Sequence, residues 1–157
     1  MARSPATARK RILSEEDHGD LEGLVGYNLK RAYVILSTDF RRALGEDGFA
    51  PRVFSALSLI VEFPDITQSD LARKLGIERS GLVAIIDELE SRGFVLRQPV
   101  PGDRRVQALS PTEAGKTAYF SAREVVLAHE KELLSHLSPE EIEILIGLLQ
   151  KIRATGS

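Results

Sequence analysis

A mainly α fold carrying a small β-hairpin wing is predicted by three features of the chain. Residues 67–105, TQSDLARKLGIERSGLVAIIDELESRGFVLRQPVPGDRR, read as two short helices, a tight turn and a basic hairpin. Apolar residues recur at helical spacing ahead of that segment, over 20–44 and 53–63. Behind it, two Ser-Pro-x-Glu runs, at Ser110 and Ser138, have the form of helix starts. The combined layout is a winged helix-turn-helix between N- and C-terminal dimerisation helices.

The first helix is placed over Asp20–Leu44, with Asp20 as its N-cap and Leu21, Leu24, Val25, Leu29, Ala32, Leu36 and Phe40 along one stripe that also carries Asn28. Pro51 suits a first helical turn, and the apolar run Val53–Phe63 reads as a buried helix closed before Pro64. Thr67-Gln68-Ser69-Asp70 resembles a capping box with aspartate for glutamate, and Ile66 and Leu71 occupy the staple positions. Gly76 ends that helix and Gly93 ends the next, which spans about Glu78–Arg92. Strands over 94–98 and 104–109 flank the turn VPGD to make the wing. Ser110-Pro111-Thr112-Glu113 and Ser138-Pro139-Glu140-Glu141 then start helices near 111 and 139, with Ser110 as the first cap.

The last helix bears on assembly. Ile142, Ile144, Leu145, Ile146, Leu148, Leu149 and Ile152 cover well over half its circumference, wider than the stripe of a monomer's surface helix. Helices from both ends of the chain are therefore expected to pack against a second subunit. The resulting division is a flexible arm over 1–19, a dimerisation region over 20–48 and 111–153, and a DNA-binding region over 49–110, within a single domain at 20–153.

Composition narrows the function. The net charge is −2 and the pI about 6.0, so any nucleic-acid contact must come from a local patch. The chain has no cysteine, which removes disulfides, thiolate metal sites and thiol-based sensing. No apolar run approaches the roughly 18–20 residues of a membrane span, no signal-peptide core is present, and the protein is read as cytoplasmic. Glycine-rich phosphate loops, His-Glu zinc motifs and nucleophile elbows are absent, so no enzyme, catalytic residue or cofactor is expected.

The central segment carries the DNA-binding expectation. In the helix 78–92, Leu82, Ile85, Ile86 and Leu89 share the core face, and 100° per residue puts Ser80, Ala84 and Asp87 opposite, flanked by Gly81, Val83 and Glu88. That small surface lets the backbone approach base edges, with Val83 and Ala84 suited to thymine methyls and Ser80 to a hydrogen bond. Arg79 is the candidate for guanine or phosphate, while Gln68, Ser69 and Arg73 are candidates for phosphate. In the wing, Arg104 and Arg105 suit a narrow, electronegative minor groove, and Asp103 would steady one of them. The segment 67–105 nevertheless holds seven basic against six acidic residues, so binding must lean on a few contacts.

LARKLGIERS (71–80), IIDELESRGFV (85–95), PGDRR (101–105) and TEAG (112–115) resemble the MarR, or multiple-antibiotic-resistance regulator, family of winged-helix repressors. The resemblance spans roughly residues 20–153. It implies a homodimer on a near-palindromic double-stranded DNA operator, 78–92 as recognition helix, Arg105 as minor-groove arginine and Asp103 as its buttress. Gly81 and Ala84 depart from the threonine and arginine common there, and Pro111 stands where leucine is common.

The resemblance also implies release from DNA by a small molecule, often an aromatic acid. Tyr27, Asn28, Arg31, Tyr33, Ser37, Arg41, Arg52 and Phe54 are candidates for that site, since rings beside arginines suit an aromatic carboxylate or its CoA thioester. A metal-responsive regulator is an alternative, through His129 and His136 with Glu132 nearby, although no metal site is expected. A winged helix that serves only as a protein-interaction module is the other.

Overall fold

The computed structural model describes residues 19–45, 48–100 and 102–156, the side chains at 103–105 excepted. Most of the arm expected over 1–19, and Pro101 of the wing turn, lie outside the described residues. The chain divides into two compact units, Met1–Ile35 and Leu36–Ser157. Among the described residues no helix is long and apolar enough to cross a membrane.

The first helix, α1 (Val25–Leu44), starts later than expected. A 3-10 turn over Gly19–Gly23 precedes it, so Asp20 is not its cap. The polar member of the stripe explains the break. The Asn28 side chain donates to the carbonyls of Glu22 (2.8 Å) and Leu24 (2.9 Å), fixing the join between turn and helix.

Helix α2 (Pro51–Glu62) begins at its proline as expected and buries Val53, Ala56, Leu57 and Ile60, an i, i+3, i+4, i+7 stripe. Helices α3 (Gln68–Leu75) and α4 (Arg79–Ser91) follow, and Gly76 joins them in the left-handed conformation, at φ 63°. Leu82, Ile85, Ile86 and Leu89 of α4 repeat the spacing of α2 and are all buried. Together with Leu71, Ala72, Val95, Leu109, Ala122 and Phe49 they make one core.

Ile66–Thr67 is a short strand, β1, which the sequence reading did not foresee. The wing strands, β2 (Val95–Val100) and β3 (Asp103–Pro111), are longer than expected, and the antiparallel sheet runs β1-β3-β2. Asp65 enters β1 with φ 66°, its amide donating to Leu109 O (3.0 Å) and its carboxylate accepting from the Ser110 hydroxyl (2.6 Å). Toward the tip, Pro99 faces Gln107 but Val100 faces Asp103, so Arg104, Arg105 and Val106 have no opposite residue. Proline cannot donate to a ladder, which accounts for the break in pairing beyond Pro99.

The expected cap at Ser110 is overturned. Ser110 and Pro111 finish β3, and Thr112 caps α5 (Glu113–Leu133), its hydroxyl oxygen accepting from Gly115 N (3.0 Å). The same hydroxyl donates to Gly93 O (2.7 Å), and Thr112 N donates to Phe94 O (2.9 Å). Pairing with Val95 holds Pro111 in the strand, which moves the cap two residues along. A side chain at Gly115 would stand 2.1 Å from Phe94 O, so only glycine fits this joint. At Ser138 the expected box is complete. Its hydroxyl accepts from Glu141 N (3.2 Å) and its amide donates to the Glu141 carboxylate (2.8 Å), opening α6 (Pro139–Ala154).

Gly115→Ala is expected to lower stability by about 1–3 kcal/mol, the usual cost of forcing atoms into a packed site. The urea midpoint should fall with an unchanged slope.

Candidate nucleic-acid interface

The α4 stripe decides which residues face outward. With Leu82 and Ile86 at zero exposure, Arg79, Ser80, Gly81, Val83 and Ala84 are all exposed on one continuous surface, Val83 at 43%. No atom outside the helix backbone lies within 4 Å of where a Gly81 Cβ would stand, so glycine is not required for packing there. The surface is low, nearly uncharged and entered at Arg79.

At the start of α3, Gln68 is half-buried and Ser69 exposed, beside the Thr67 cap. The expected capping box is only half formed. Thr67 Oγ1 accepts from Asp70 N (3.1 Å), but the Asp70 carboxylate accepts a hydrogen bond from the Thr67 hydroxyl (2.7 Å) instead of reaching the backbone amide. Aspartate is one methylene shorter than the glutamate of a full box. That hydroxyl, with Arg73 beside it, holds the Asp70 carboxyl below its ordinary value.

The cations of the segment fall into two groups. Arg73 pairs with Asp70, and Lys74 lies 4.4 Å from the centre of the Phe63 ring. Arg92 stacks on Phe49 and Phe94, donates to Gly48 O (3.3 Å) and faces Glu88 at 3.6 Å. Arg97, on β2, pairs with Asp87 and approaches Glu90 at 3.4 Å, both on α4. Arg79 has no ion-pair partner among the described residues. Of the expected contacts, Arg79, Ser80, Gly81, Val83 and Ala84 are thus brought together. Arg73 is engaged by its neighbour, and Asp103, Arg104 and Arg105 lie on β3 at the irregular end of the wing.

The expected effector residues have the following individual settings. Tyr27 and Arg31 line a hollow of about 500 Å³ on α1 with Lys30, Val34 and Ile35. Asn28 is engaged in capping, and Tyr33 is exposed. Arg41 lines a separate hollow of about 620 Å³ with Arg42, Phe49 and Glu88. Ser37 is half-buried and Arg52 exposed. Phe54 belongs to an aromatic cluster, its ring 5.4 Å from Phe40 and 5.6 Å from Tyr119.

A third hollow, of about 140 Å³, escaped the sequence reading. Leu36, Phe40, Val126 and Leu133 form its apolar walls, and His129 Nδ1 meets Asp39 Oδ2 at 3.2 Å on its lining. Ninety residues separate that pair, and no local pattern marks it. Among the described residues no group of three or more His, Cys, Asp or Glu side chains is placed to hold a metal ion.

Comparison with known proteins places this arrangement. The MarR family profile matches residues 51–106, from α2 into the wing. A protein of Thauera aromatica assigned to transcriptional regulation of the hcr operon is 30% identical over 141 residues, covering 89% of this chain and 85% of its own. The transcriptional repressor CouR bound to a 23-mer DNA duplex is 35% identical with a TM-score of 0.83, covering 89% of this chain and 99% of CouR. CouR bound to p-coumaroyl-CoA is 32% identical at a TM-score of 0.80, over 88% and 98% of the two chains. With its helix pair, wing and flanking helices all matched, the chain belongs to the MarR family of winged-helix, DNA-binding transcriptional regulators.

Proposed function

We propose that this protein is a homodimeric repressor that binds a near-palindromic operator and is released by an aromatic carboxylate or its CoA thioester. The observation that carries the DNA-binding part is the exposed face Arg79–Ala84, low enough for the helix backbone to reach base edges. In this reading α4 enters the major groove. Arg79 meets guanine or phosphate, Ser80 a base edge, and Val83 and Ala84 thymine methyls. Gln68, Ser69 and Arg73 lie against phosphates, while Arg105, with Arg104 and Asp103, serves the minor groove. CouR, similar over nearly its whole length, supports this reading as a repressor bound to duplex DNA.

Assembly follows from apolar surface. No residue of α6 is buried within the chain, and Ile144 (62% exposed), Leu145, Ile146, Leu148 and Ile152 face outward. A second copy would cover them, with 20–48 and 111–153 as the dimerisation region and 49–110 as the DNA-binding region. Two-fold symmetry then sets the half-sites about one helical turn (roughly 10 bp) apart. For the effector, the apolar hollow between α1 and α5 is sized for one aromatic ring, and Asp39 and His129 would meet a polar substituent on it. The p-coumaroyl-CoA complex of CouR supports this ligand class.

The direct test is fluorescence anisotropy with DNA from upstream of the protein's own gene against a scrambled duplex. Preference of about 10³-fold or more is expected, abolished by p-coumaroyl-CoA or a related thioester. Equal, salt-erased binding to both duplexes would point instead to a protein-interaction module. Arg79→Ala should weaken operator binding by about 10- to 100-fold, the usual value of a good base contact, with unchanged circular dichroism. Gly81→Ala separates folding from recognition. It should stabilise the fold by about 0.5–1 kcal/mol, because mid-helix glycine is unfavourable, while lowering operator affinity through the added methyl. Ile144→Asp should yield a folded monomer by light scattering.

A further inference from the structure

The face of α4 that reads DNA also carries acid. Asp87 continues the row Ser80–Ala84 at helical spacing, and Glu90 follows three residues later. A carboxylate on this row repels the phosphates that the surface must approach. Arg97 answers both. It projects from β2, pairs with Asp87, and brings its Nε to 3.4 Å from the Glu90 carboxylate. That Nε is buried and makes no hydrogen bond, and the side chain is only 28% exposed. The guanidinium therefore sits between strand and helix, with its charge already engaged. Arg92 treats Glu88 similarly, although stacking on two rings already gives it a packing role.

We propose that Arg97 is a positioning residue for DNA recognition, acting through Asp87 and Glu90 and not by touching DNA. It offsets one of the two negative charges that Asp87 and Glu90 place on the reading helix, shares that offset between them, and ties the wing strand to that helix. Recognition helix and wing are thereby presented to adjacent grooves as one rigid piece with acceptable charge. The inference rests on the DNA-binding reading above. It adds that affinity depends on a cation that makes no contact with the nucleic acid.

Salt dependence and rescue test this. Each phosphate contact contributes about 0.9 to the slope of log K against log salt. Arg97→Ala is expected to lower operator affinity at least about tenfold, a 1.4 kcal/mol change, while the slope keeps its parental value. Adding Asp87→Asn and Glu90→Gln to Arg97→Ala should recover most of the loss, because the carboxylates no longer need an answer. Arg97→Lys, which retains charge without the bidentate fork, should bind between parent and Arg97→Ala. A slope reduced by about 0.9 with no rescue would make Arg97 a phosphate contact and overturn the proposal. Parental affinity in a folded Arg97→Ala protein would overturn it equally. If the parent itself fails to prefer its operator, the DNA reading fails. The clamp is then judged by a urea-denaturation cycle of Arg97→Ala and Asp87→Asn, where additive effects would refute it.

Discussion

The structure depends on the rotational setting of α4. Leu82, Ile85, Ile86 and Leu89 are buried against the core that α2 supplies with the same spacing. Burying each side chain of this size is worth about 1.5–3 kcal/mol. Turning the helix by one residue would swing the stripe through 100° and expose part of it. The outward face is thereby held in place by what lies behind it. Residues on the outward face make no packing contribution to this core, which is why a mid-helix glycine is tolerated in the middle of that surface.

Charge follows a second rule. The carboxylates of the ion pairs around α4 remain in contact with solvent, at 41–58% side-chain exposure, where pairs add roughly 0–1 kcal/mol. Folding does not need them. Under the proposed function, their arrangement would manage the field that an approaching polyanion meets. Arg97, Arg92 and Arg73 are engaged by carboxylates of the chain, and Arg79 stands at the entrance of the helix without one among the described residues. The charges of this nearly neutral segment are sorted by position, and a sequence total of seven against six conceals that sorting.

How much was legible in sequence follows from the range of each signal. Local grammar was read well. Pro51, the Thr67 and Ser138 caps, Gly76, Gly93 and the α4 stripe all act within a few residues, and each lies where its pattern placed it. Features set by distant neighbours were missed. Two-residue β1 has no period of its own and exists because β3 passes beside it. The cap of α5 slipped from Ser110 to Thr112 because the strand pairing of Pro111 outweighed a plausible capping box. The exposed face of α4 is legible because it is the complement of a helical stripe. The Asp39–His129 contact depends on which helices pack together, and periodicity alone does not report that.

The joint between α4 and α5 has a mechanical consequence. Thr112 caps the long helix while bonding the glycine turn that ends the reading helix, and Gly115 packs directly on the Phe94 carbonyl. Two rods fastened in this way have no slack between them. Helix α5, at 21 residues, is about 31 Å long by its rise per residue, and its far portion borders the small apolar hollow. Under the proposed function, a tilt imposed there would reach α4 through this joint as a change of angle, the chain acting as a stiff lever between hollow and helix.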